Sequence, residues 1–144
     1  MKTETDYSKI IPDYQNIITK WVCDGLNIDY QWIKNYQTFG VVYQDKIIAG
    51  LIFHDVNYGH DVWWTIYSTN KHWCNRRVLK QFFREAFNVL HCQRINLLID
   101  ADNDAALKFV TRLGFKIEGR LRKYRNNGRD CYILGLLQSE NKYL

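Results

Sequence analysis

The chain has 144 residues and a net charge of +5, and 47% of its residues are hydrophobic. These values indicate one folded domain over residues 1–144 and exclude a disordered chain. No apolar run approaches the roughly 20 residues of a membrane-spanning helix, and Met1 to Asp6 lack the apolar core of a signal peptide. We therefore expect a cytoplasmic protein with no membrane partner, in a cell or an infected host.

The first part of the chain predicts two helices followed by a strand meander. Apolar residues recur at helical spacing over Ser8–Cys23, where Pro12 is tolerated only in the first turn. Asp29–Tyr36 predicts a second, short helix. Three segments rich in β-branched and aromatic residues then predict strands. They are Thr38–Gln44, Ile47–Asp55 and Asp61–Tyr67.

The longest predicted helix is Lys71–Leu90, and the elements after it alternate between strand and helix. Ile95–Ile99 is a short, mostly apolar run, which is typical of a strand in a sheet covered on both faces. The sequence at 126–128, Asn-Asn-Gly, predicts a hairpin turn before a closing strand at Cys131–Leu137. Little room remains before Ser8 for a further strand, so a strand there is expected to be short or absent.

A helix–Gly–strand unit lies between the last two predicted strands. Asp102 or Asn103 can cap the helix start, and Gly114 ends the helix where a left-handed residue is usually needed. Phe115 and Ile117 then alternate with polar residues, which predicts a strand with one buried face.

The four cysteines carry no metal signature. None belongs to a Cys-x-x-Cys pair, whereas structural zinc usually takes closely spaced ligand pairs. We expect reduced, mostly buried thiols and no metal. The cysteines are Cys23, Cys74, Cys92 and Cys131.

Lys and Arg concentrate in residues 71–80 and 112–129. Two interpretations stay open for these clusters. They are a solvated basic surface, or an anion site for a phosphate-rich cofactor or for nucleic acid.

Several short motifs in a fixed order resemble those of the GNAT N-acetyltransferases. They are Asn103-x-x-Ala106, Gly114-Phe115, Glu118-Gly119, Trp73-Cys-Asn-Arg76, the helix ending in Ala86-Phe87, and the segment Cys92 to Ile95. The last three are similar to a small-protein branch common in phages and bacteria. The resemblance implies an α/β (α+β) fold with a mixed central sheet and helices on both faces. It also implies acetyl transfer from acetyl-coenzyme A to an amine, with a protein amine as the expected acceptor and a monomer or homodimer as the expected assembly.

The resemblance implies three places that bind the cofactor. The family's fourth and fifth strands splay apart, and in this chain backbone groups of Thr65, Ile66 and Tyr67 would pair with the pantetheine arm. The start of the longest helix would bind the pyrophosphate. Family glycines are missing there, and we expect Lys71, Trp73, Asn75, Arg76 and Arg77 to compensate. Asn103 matches the family asparagine that contacts the arm.

The catalytic residues are less complete than in many relatives. The position of the family tyrosine that protonates the leaving thiolate is Val110 here, so Tyr67, Ser68 or solvent must serve. We expect His54 and Asp55 to lie near the substrate as base candidates. His60 and Asp61 are further base candidates. A Cys74–His72 nucleophile is formally possible.

Two other functions remain open at this point. The chain could be a GNAT-fold binding protein without catalysis that captures a host protein or nucleic acid. It could also be a GNAT-like enzyme that modifies a nucleobase, which the basic clusters permit.

Overall fold

A mixed β-sheet of seven strands organises residues 8–144, the part of the chain that the computed structural model describes. Met1 to Asp6, where we expect no signal peptide, lie outside it. The strands are β1 (Lys9–Pro12), β2 (Gln37–Tyr43), β3 (Lys46–Asn57), β4 (Asp61–Ser68), β5 (Arg94–Asp100), β6 (Lys116–Leu121) and β7 (Cys131–Leu137). Their spatial order is β1-β2-β3-β4-β5-β7-β6, and only β4 and β5 run parallel to each other.

Helices cover both faces of the sheet, as predicted. On one face, the α1 face, helix α1 (Ile17–Leu26) packs over Ile52 of β3. The other face, the α2–α3 face, carries α2 (Arg76–Arg84), a π-helical turn at Glu85–Val89, and α3 (Asp104–Leu113). Because neighbouring strand residues point to opposite faces, each face has its own hydrophobic cluster.

The helix predicted over Ser8–Cys23 is wrong in its first half. Lys9–Pro12 instead forms β1, which pairs antiparallel with β2, so the first described strand lies after Ser8, inside the segment predicted as a helix. Gln15 and Asn16 then adopt left-handed φ angles of 61° and 60°, which a helix cannot contain. The carboxylate of Asp13 caps α1, since it accepts hydrogen bonds from the backbone N–H groups of Ile18 (2.8 Å) and Thr19 (2.9 Å).

Two other predicted helices are shorter in the structure than in the prediction. Asp29–Tyr36 contains one 3-10 turn, Tyr30–Trp32. The helix predicted over Lys71–Leu90 is divided, because Asn75 is extended at φ −72° and ψ 165° between a 3-10 turn at Lys71–Cys74 and α2. The side chain of Asn75 caps α2 by accepting a 2.8 Å hydrogen bond from the backbone N–H of Val78.

The strand predictions are confirmed to within two residues at each end, and the helix–Gly–strand unit is confirmed in outline. Asn103 caps α3, and Gly114 ends it with a left-handed φ of 110°. Phe115 is buried. Ile117 is 50% exposed, against the prediction, because β6 is the outermost strand of the sheet.

All four cysteine thiols are free, and Cys23, Cys92 and Cys131 are buried as expected. Burial raises the pKa of the Cys23 thiol to about 11. Within residues 8–144, no group of three or more His, Cys, Asp or Glu side chains could hold a metal ion. None of the helices in these residues combines the length and the apolar composition of a membrane span.

Gly50 of β3 lies directly beneath α1. A methyl group there would collide with Cγ2 of Val22 and lie 3.0 Å from Cγ2 of Ile18. We expect Gly50→Ala to lower the free energy of unfolding by about 1–3 kcal/mol, because an overpacked core must move side chains or backbone. Urea unfolding followed by tryptophan fluorescence measures this change.

Gly119→Ala of β6 is the matched control. The added methyl group would lie 3.6 Å from Cγ2 of Ile133, an ordinary contact distance. We expect a change within about 0.5 kcal/mol. Equal stabilities of the two variants would contradict the close approach of α1 to β3.

Candidate active site

β4 and β5 separate partway along their length, as the sequence predicted. Their pairing begins at Asp61 with Arg94 and ends at Trp64 with Leu97, although β4 continues to Ser68 and β5 to Asp100. We call the part of β4 beyond Trp64 the open edge. On its other side it still pairs with β3, so only the edge toward β5 lacks a strand partner. Such an edge can pair with an extended ligand as another strand would.

Side chains of the open edge alternate between the two faces of the sheet. Thr65 pairs across the sheet with Ile52, which belongs to the core under α1. Tyr67 lies on the same face, where its ring meets that of Trp21 edge-on at a centroid distance of 5.0 Å. The ring also fills the space beside Gly25 of α1, where a Cβ atom would collide with it. Ile66 packs into the core of the α2–α3 face.

A chain of three polar side chains lies beside the open edge on the α1 face. Nδ1 of His54 lies 2.6 Å from Oδ2 of Asp55, and Nε2 of His54 lies 2.8 Å from Oγ1 of Thr65. The His54 side chain is 15% exposed, whereas that of Asp55 is 51% exposed. The structure therefore brings the two predicted base candidates together and joins them to the hydroxyl of Thr65.

A β-bulge makes this arrangement possible. The register between β3 and β4 slips between His54 and Asn57, and Asp55 adopts a left-handed φ of 48°. The backbone N–H of Asp55 donates to the carbonyl of Lys34 at 2.8 Å instead of to the sheet. In a regular strand, adjacent side chains point to opposite faces. The bulge turns the Asp55 carboxylate back toward His54.

The sequence pattern did not single out the Thr65 side chain, which we expected to contribute only backbone groups. Its contact with His54 follows from the register of β3 on β4, in which His54 pairs with Trp63 and Ile52 pairs with Thr65. The turn sequence at 57–60, Asn-Tyr-Gly-His, is the one local indication of that register. The bulge at Asp55 has no sequence signature, so the contact between His54 and Thr65 could not be predicted.

The start of α2 has the features of an anion site. The backbone N–H groups of Arg76 and Arg77 lie in the first turn, where no carbonyl of the helix can accept from them. Both side chains are exposed, as is that of Lys71. The guanidinium of Arg76 lies 5.7 Å from the ring centroid of Tyr143. Positive charge and free amides together suit a phosphate group.

Other residues near this helix start have structural contacts. Nη2 of Arg77 donates to the carbonyl oxygen of Ser8. Trp73 is buried, and its ring meets that of Phe109 edge-on at 5.5 Å. Asn75 uses its side-chain oxygen to cap α2. Asn103 does the same for α3, because its oxygen accepts a 3.2 Å hydrogen bond from the backbone N–H of Ala106.

The structure does not support a Cys74–His72 nucleophile. The ring of His72 stacks on that of Tyr43 at a centroid distance of 4.7 Å, while Sγ of Cys74 lies 3.6 Å from the carbonyl oxygen of Lys71. Burial raises the pKa of the Cys74 thiol, which disfavours the reactive thiolate. A Cys74–His72 nucleophile would require a hydrogen bond between the two side chains, whose contacts are instead with Tyr43 and with the Lys71 carbonyl.

The remaining base candidates lie away from the open edge. Asp61 is at the opposite end of β4, and its Oδ2 accepts a 2.7 Å hydrogen bond from Nδ2 of Asn96. His60 is exposed in the turn before β4. Val110, at the position of the family tyrosine, is buried in the core of the α2–α3 face and has no group that transfers a proton.

The basic cluster in residues 112–129 is partly neutralised by ion pairs with acidic side chains. Three of its arginines have carboxylate partners, at 2.7 to 3.4 Å. The pairs are Arg120–Asp130, Arg125–Asp100 and Arg129–Asp102. This pairing weakens the interpretation of the cluster as a nucleic-acid site, because paired cations offer less charge to phosphates.

The fold resembles those of solved N-acetyltransferases. Spermidine N-acetyltransferase from Vibrio cholerae, solved with CoA and spermine, matches with a TM-score of 0.73 and 15% identity, over 92% of this chain and 96% of the other. A dodecameric structure of the same enzyme in an intermediate state matches with a TM-score of 0.72 and 18% identity, over 95% and 96% of the two chains. At these identities the likeness shows the fold.

The sequence itself identifies the family. No curated protein matches it at a meaningful level. A family model described as "Acetyltransferase (GNAT) domain" matches residues 19–132, which include most of α1 and all of the open edge, α2 and α3. The chain therefore belongs to the GNAT acetyltransferase family, whose members are N-acetyltransferases that use acetyl-coenzyme A.

Proposed function

We propose that this chain transfers the acetyl group of acetyl-coenzyme A to a primary amine by direct attack in a ternary complex. The observation that supports this most is the open edge of β4, with His54 and Thr65 beside it on one face and the start of α2 available to phosphates. Bound acetyl-coenzyme A would supply an activated acetyl thioester. The residues of the chain then have to hold it, orient the amine and move protons.

Three sets of residues would hold the cofactor. Backbone groups of Thr65, Ile66 and Tyr67 on the open edge suit an extended amide-containing arm. The N-terminal amides of α2, with Lys71, Asn75, Arg76 and Arg77 around them, suit the pyrophosphate. Arg77 keeps donors free for this role, because a guanidinium has five N–H groups. Asn103 caps α3 with its oxygen, which leaves its amide nitrogen for the arm.

Trp73 would support the cofactor site from the hydrophobic core, without contacting the cofactor. It is 6% exposed and packs on Phe109, so it supports the segment that carries Lys71 and Arg76. The Trp73-to-Arg76 motif is also one of the three motifs that relate this chain to the small phage and bacterial branch, and that relation stays a prediction.

His54 is the base that we propose for the incoming amine. A neutral imidazole can take up a proton near neutral pH, and a carboxylate on its other nitrogen stabilises the resulting imidazolium. Asp55 occupies that position at 2.6 Å. For the leaving thiolate we propose Tyr67 as the proton donor, because it lies on the open edge and no described residue hydrogen-bonds its hydroxyl.

A protein amine is the acceptor that we propose. The chain carries a net charge of +5, which disfavours a polycation such as spermidine. Of the carboxylates on or beside β4 and β5, those of Asp61, Asp100 and Glu118 already bind Asn96, Arg125 and Arg94, respectively. The side chain of Asp55 is 51% exposed, and it also binds His54. A peptide amine needs fewer carboxylates than a polyamine.

A panel of amines with acetyl-coenzyme A tests the acceptor. We expect peptides with a free N-terminus or a lysine to react with a kcat/KM about tenfold higher than spermidine at low salt. Added salt should narrow the difference, since it screens the repulsion of the polycation. Spermidine as the best acceptor would contradict the assignment. A protein that shows neither turnover nor a melting shift with acetyl-coenzyme A would instead be a binding module.

Arg76→Ala tests the phosphate site. Loss of a charge-assisted hydrogen bond costs about 1.5–3 kcal/mol, so we expect the Kd for coenzyme A in calorimetry to rise about tenfold or more. Arg84→Ala, at the other end of the same helix, is the matched control and should leave the Kd unchanged. Unchanged affinity in Arg76→Ala would remove this side chain from the site.

His54→Gln tests the base. We expect kcat to fall by about 10²- to 10⁴-fold, because glutamine cannot accept the proton, while the Kd for acetyl-coenzyme A stays within about twofold. His60→Gln in the exposed turn is the control and should keep full activity. An active His54→Gln variant would exclude His54 as the base.

A further inference from the structure

Both ring nitrogens of His54 are already engaged by side chains of this chain. Asp55 lies at Nδ1, and the hydroxyl of Thr65 lies at Nε2. We propose that Thr65 is a catalytic residue whose hydroxyl takes the proton from the acceptor amine and passes its own proton to His54. This assignment rests on the proposed acetyl transfer to an amine and deepens it.

The direction of the relay follows from the chemistry of the three groups. An ionised carboxylate only accepts hydrogen bonds, so Nδ1 of His54 carries the proton that points to Asp55. In a neutral imidazole Nε2 is then the acceptor, and the hydroxyl of Thr65 is the group that donates to it. The oxygen of Thr65 keeps lone pairs that can accept from another donor, such as an amine N–H.

The position of Thr65 in the fold is suited to this role. It is the first residue of β4 beyond the last pair with β5, Trp64 with Leu97. Its hydroxyl is therefore at the beginning of the open edge, where the thioester would lie if the pantetheine arm pairs there. His54 is 15% exposed and belongs to the neighbouring strand. An amine at the open edge would thus meet the threonine oxygen, while the imidazole lies behind it.

The proton and electron balance of the step is complete. The lone pair of the amine nitrogen forms the bond to the acetyl carbon, and the carbon–sulfur bond breaks with its electron pair on sulfur. Oγ1 of Thr65 accepts the proton that the nitrogen loses and gives its own proton to Nε2 of His54. The imidazolium is stabilised by Asp55 and returns the proton to solvent. The sulfur receives a proton from water, or from Tyr67, which then regains the proton that His54 released to solvent.

A covalent role for Thr65 is the alternative that this chain of side chains permits. A hydroxyl that is hydrogen-bonded to a histidine can attack a thioester, as in enzymes with a catalytic triad. Two features favour the relay. The hydroxyl of Thr65 is secondary and hindered by its methyl group, and β4 is regularly paired at this residue instead of forming a strained turn that exposes the oxygen.

Thr65→Val and Thr65→Ser test the proposal in the full chain. Valine keeps the shape of threonine and removes the hydroxyl, so we expect kcat to fall about 10²-fold with an unchanged Kd for acetyl-coenzyme A. Serine keeps the hydroxyl and should restore most of the activity. Thr69→Val, just beyond β4, is the matched control and should keep the wild-type kcat, because within residues 8–144 its hydroxyl contacts only the backbone carbonyl of Ile48, at 3.4 Å.

Nitrogen NMR of His54 gives a signal that would not change if the Thr65 side chain served only in packing. We expect the Nδ1–H tautomer in the wild type, and a shift of the Nε2 resonance in Thr65→Val that Thr65→Ser does not show. Full kcat in Thr65→Val, or no recovery in Thr65→Ser, would overturn the relay. An acetyl group retained on Thr65, detected by mass spectrometry, would also overturn the relay, because Thr65 would then be a nucleophile.

Failure of this proposal and failure of the proposed function give different results. A wild type that acetylates no amine in the panel ends both. A wild type that acetylates amines, together with a fully active Thr65→Val variant, ends the relay alone.

Discussion

The end of hydrogen bonding between β4 and β5, after Trp64 and Leu97, is the constraint on which the candidate site depends. It is maintained from both sides of the sheet. The outer half of β4 stays paired with β3 as far as Ser68, and the outer half of β5 stays paired with β7 as far as Asp100. Each strand therefore follows its own antiparallel partner, and sheet twist can carry the two halves apart. Beneath the point of separation the ring of Trp64 packs in the core of the α2–α3 face.

The separation of β4 from β5 and the bulge at Asp55 each supply a different part of the candidate site. The separation leaves backbone groups without a strand partner beside Thr65, and the bulge at Asp55 turns a carboxylate toward His54. Helix α1 completes this side of the sheet, because Gly25 leaves space for the ring of Tyr67 and Gly50 lets the helix approach β3. The residues proposed to bind phosphate lie at the start of α2, whose helix packs on the opposite face. A ligand that extends from α2 through the gap would join the two.

Local signals in the sequence were sufficient where one residue decides the structure. Asn103 and Gly114 mark the ends of α3, since one supplies a cap and the other tolerates a left-handed backbone. Runs of β-branched and aromatic residues located three strands, and an apolar run and a turn signal located two more. The same reasoning failed over Ser8–Cys23, where helical spacing of apolar residues concealed a short strand. It also failed at Asn75, whose extended backbone divides the long helix. In both places pairing or capping partners outweigh local periodicity.

The sequence by itself determined the family, the mixed sheet, and the roles that residue types permit. It named His54 and Asp55 as base candidates, and it showed that Val110 cannot replace the family tyrosine. Only the tertiary structure decided that His54 lies between Asp55 and Thr65, at 2.6 Å and 2.8 Å. The physical reason is that residue type is a local property, whereas a hydrogen bond between neighbouring strands depends on their register. That register is set here by a bulge and by packing under α1, which involve residues far apart in the chain.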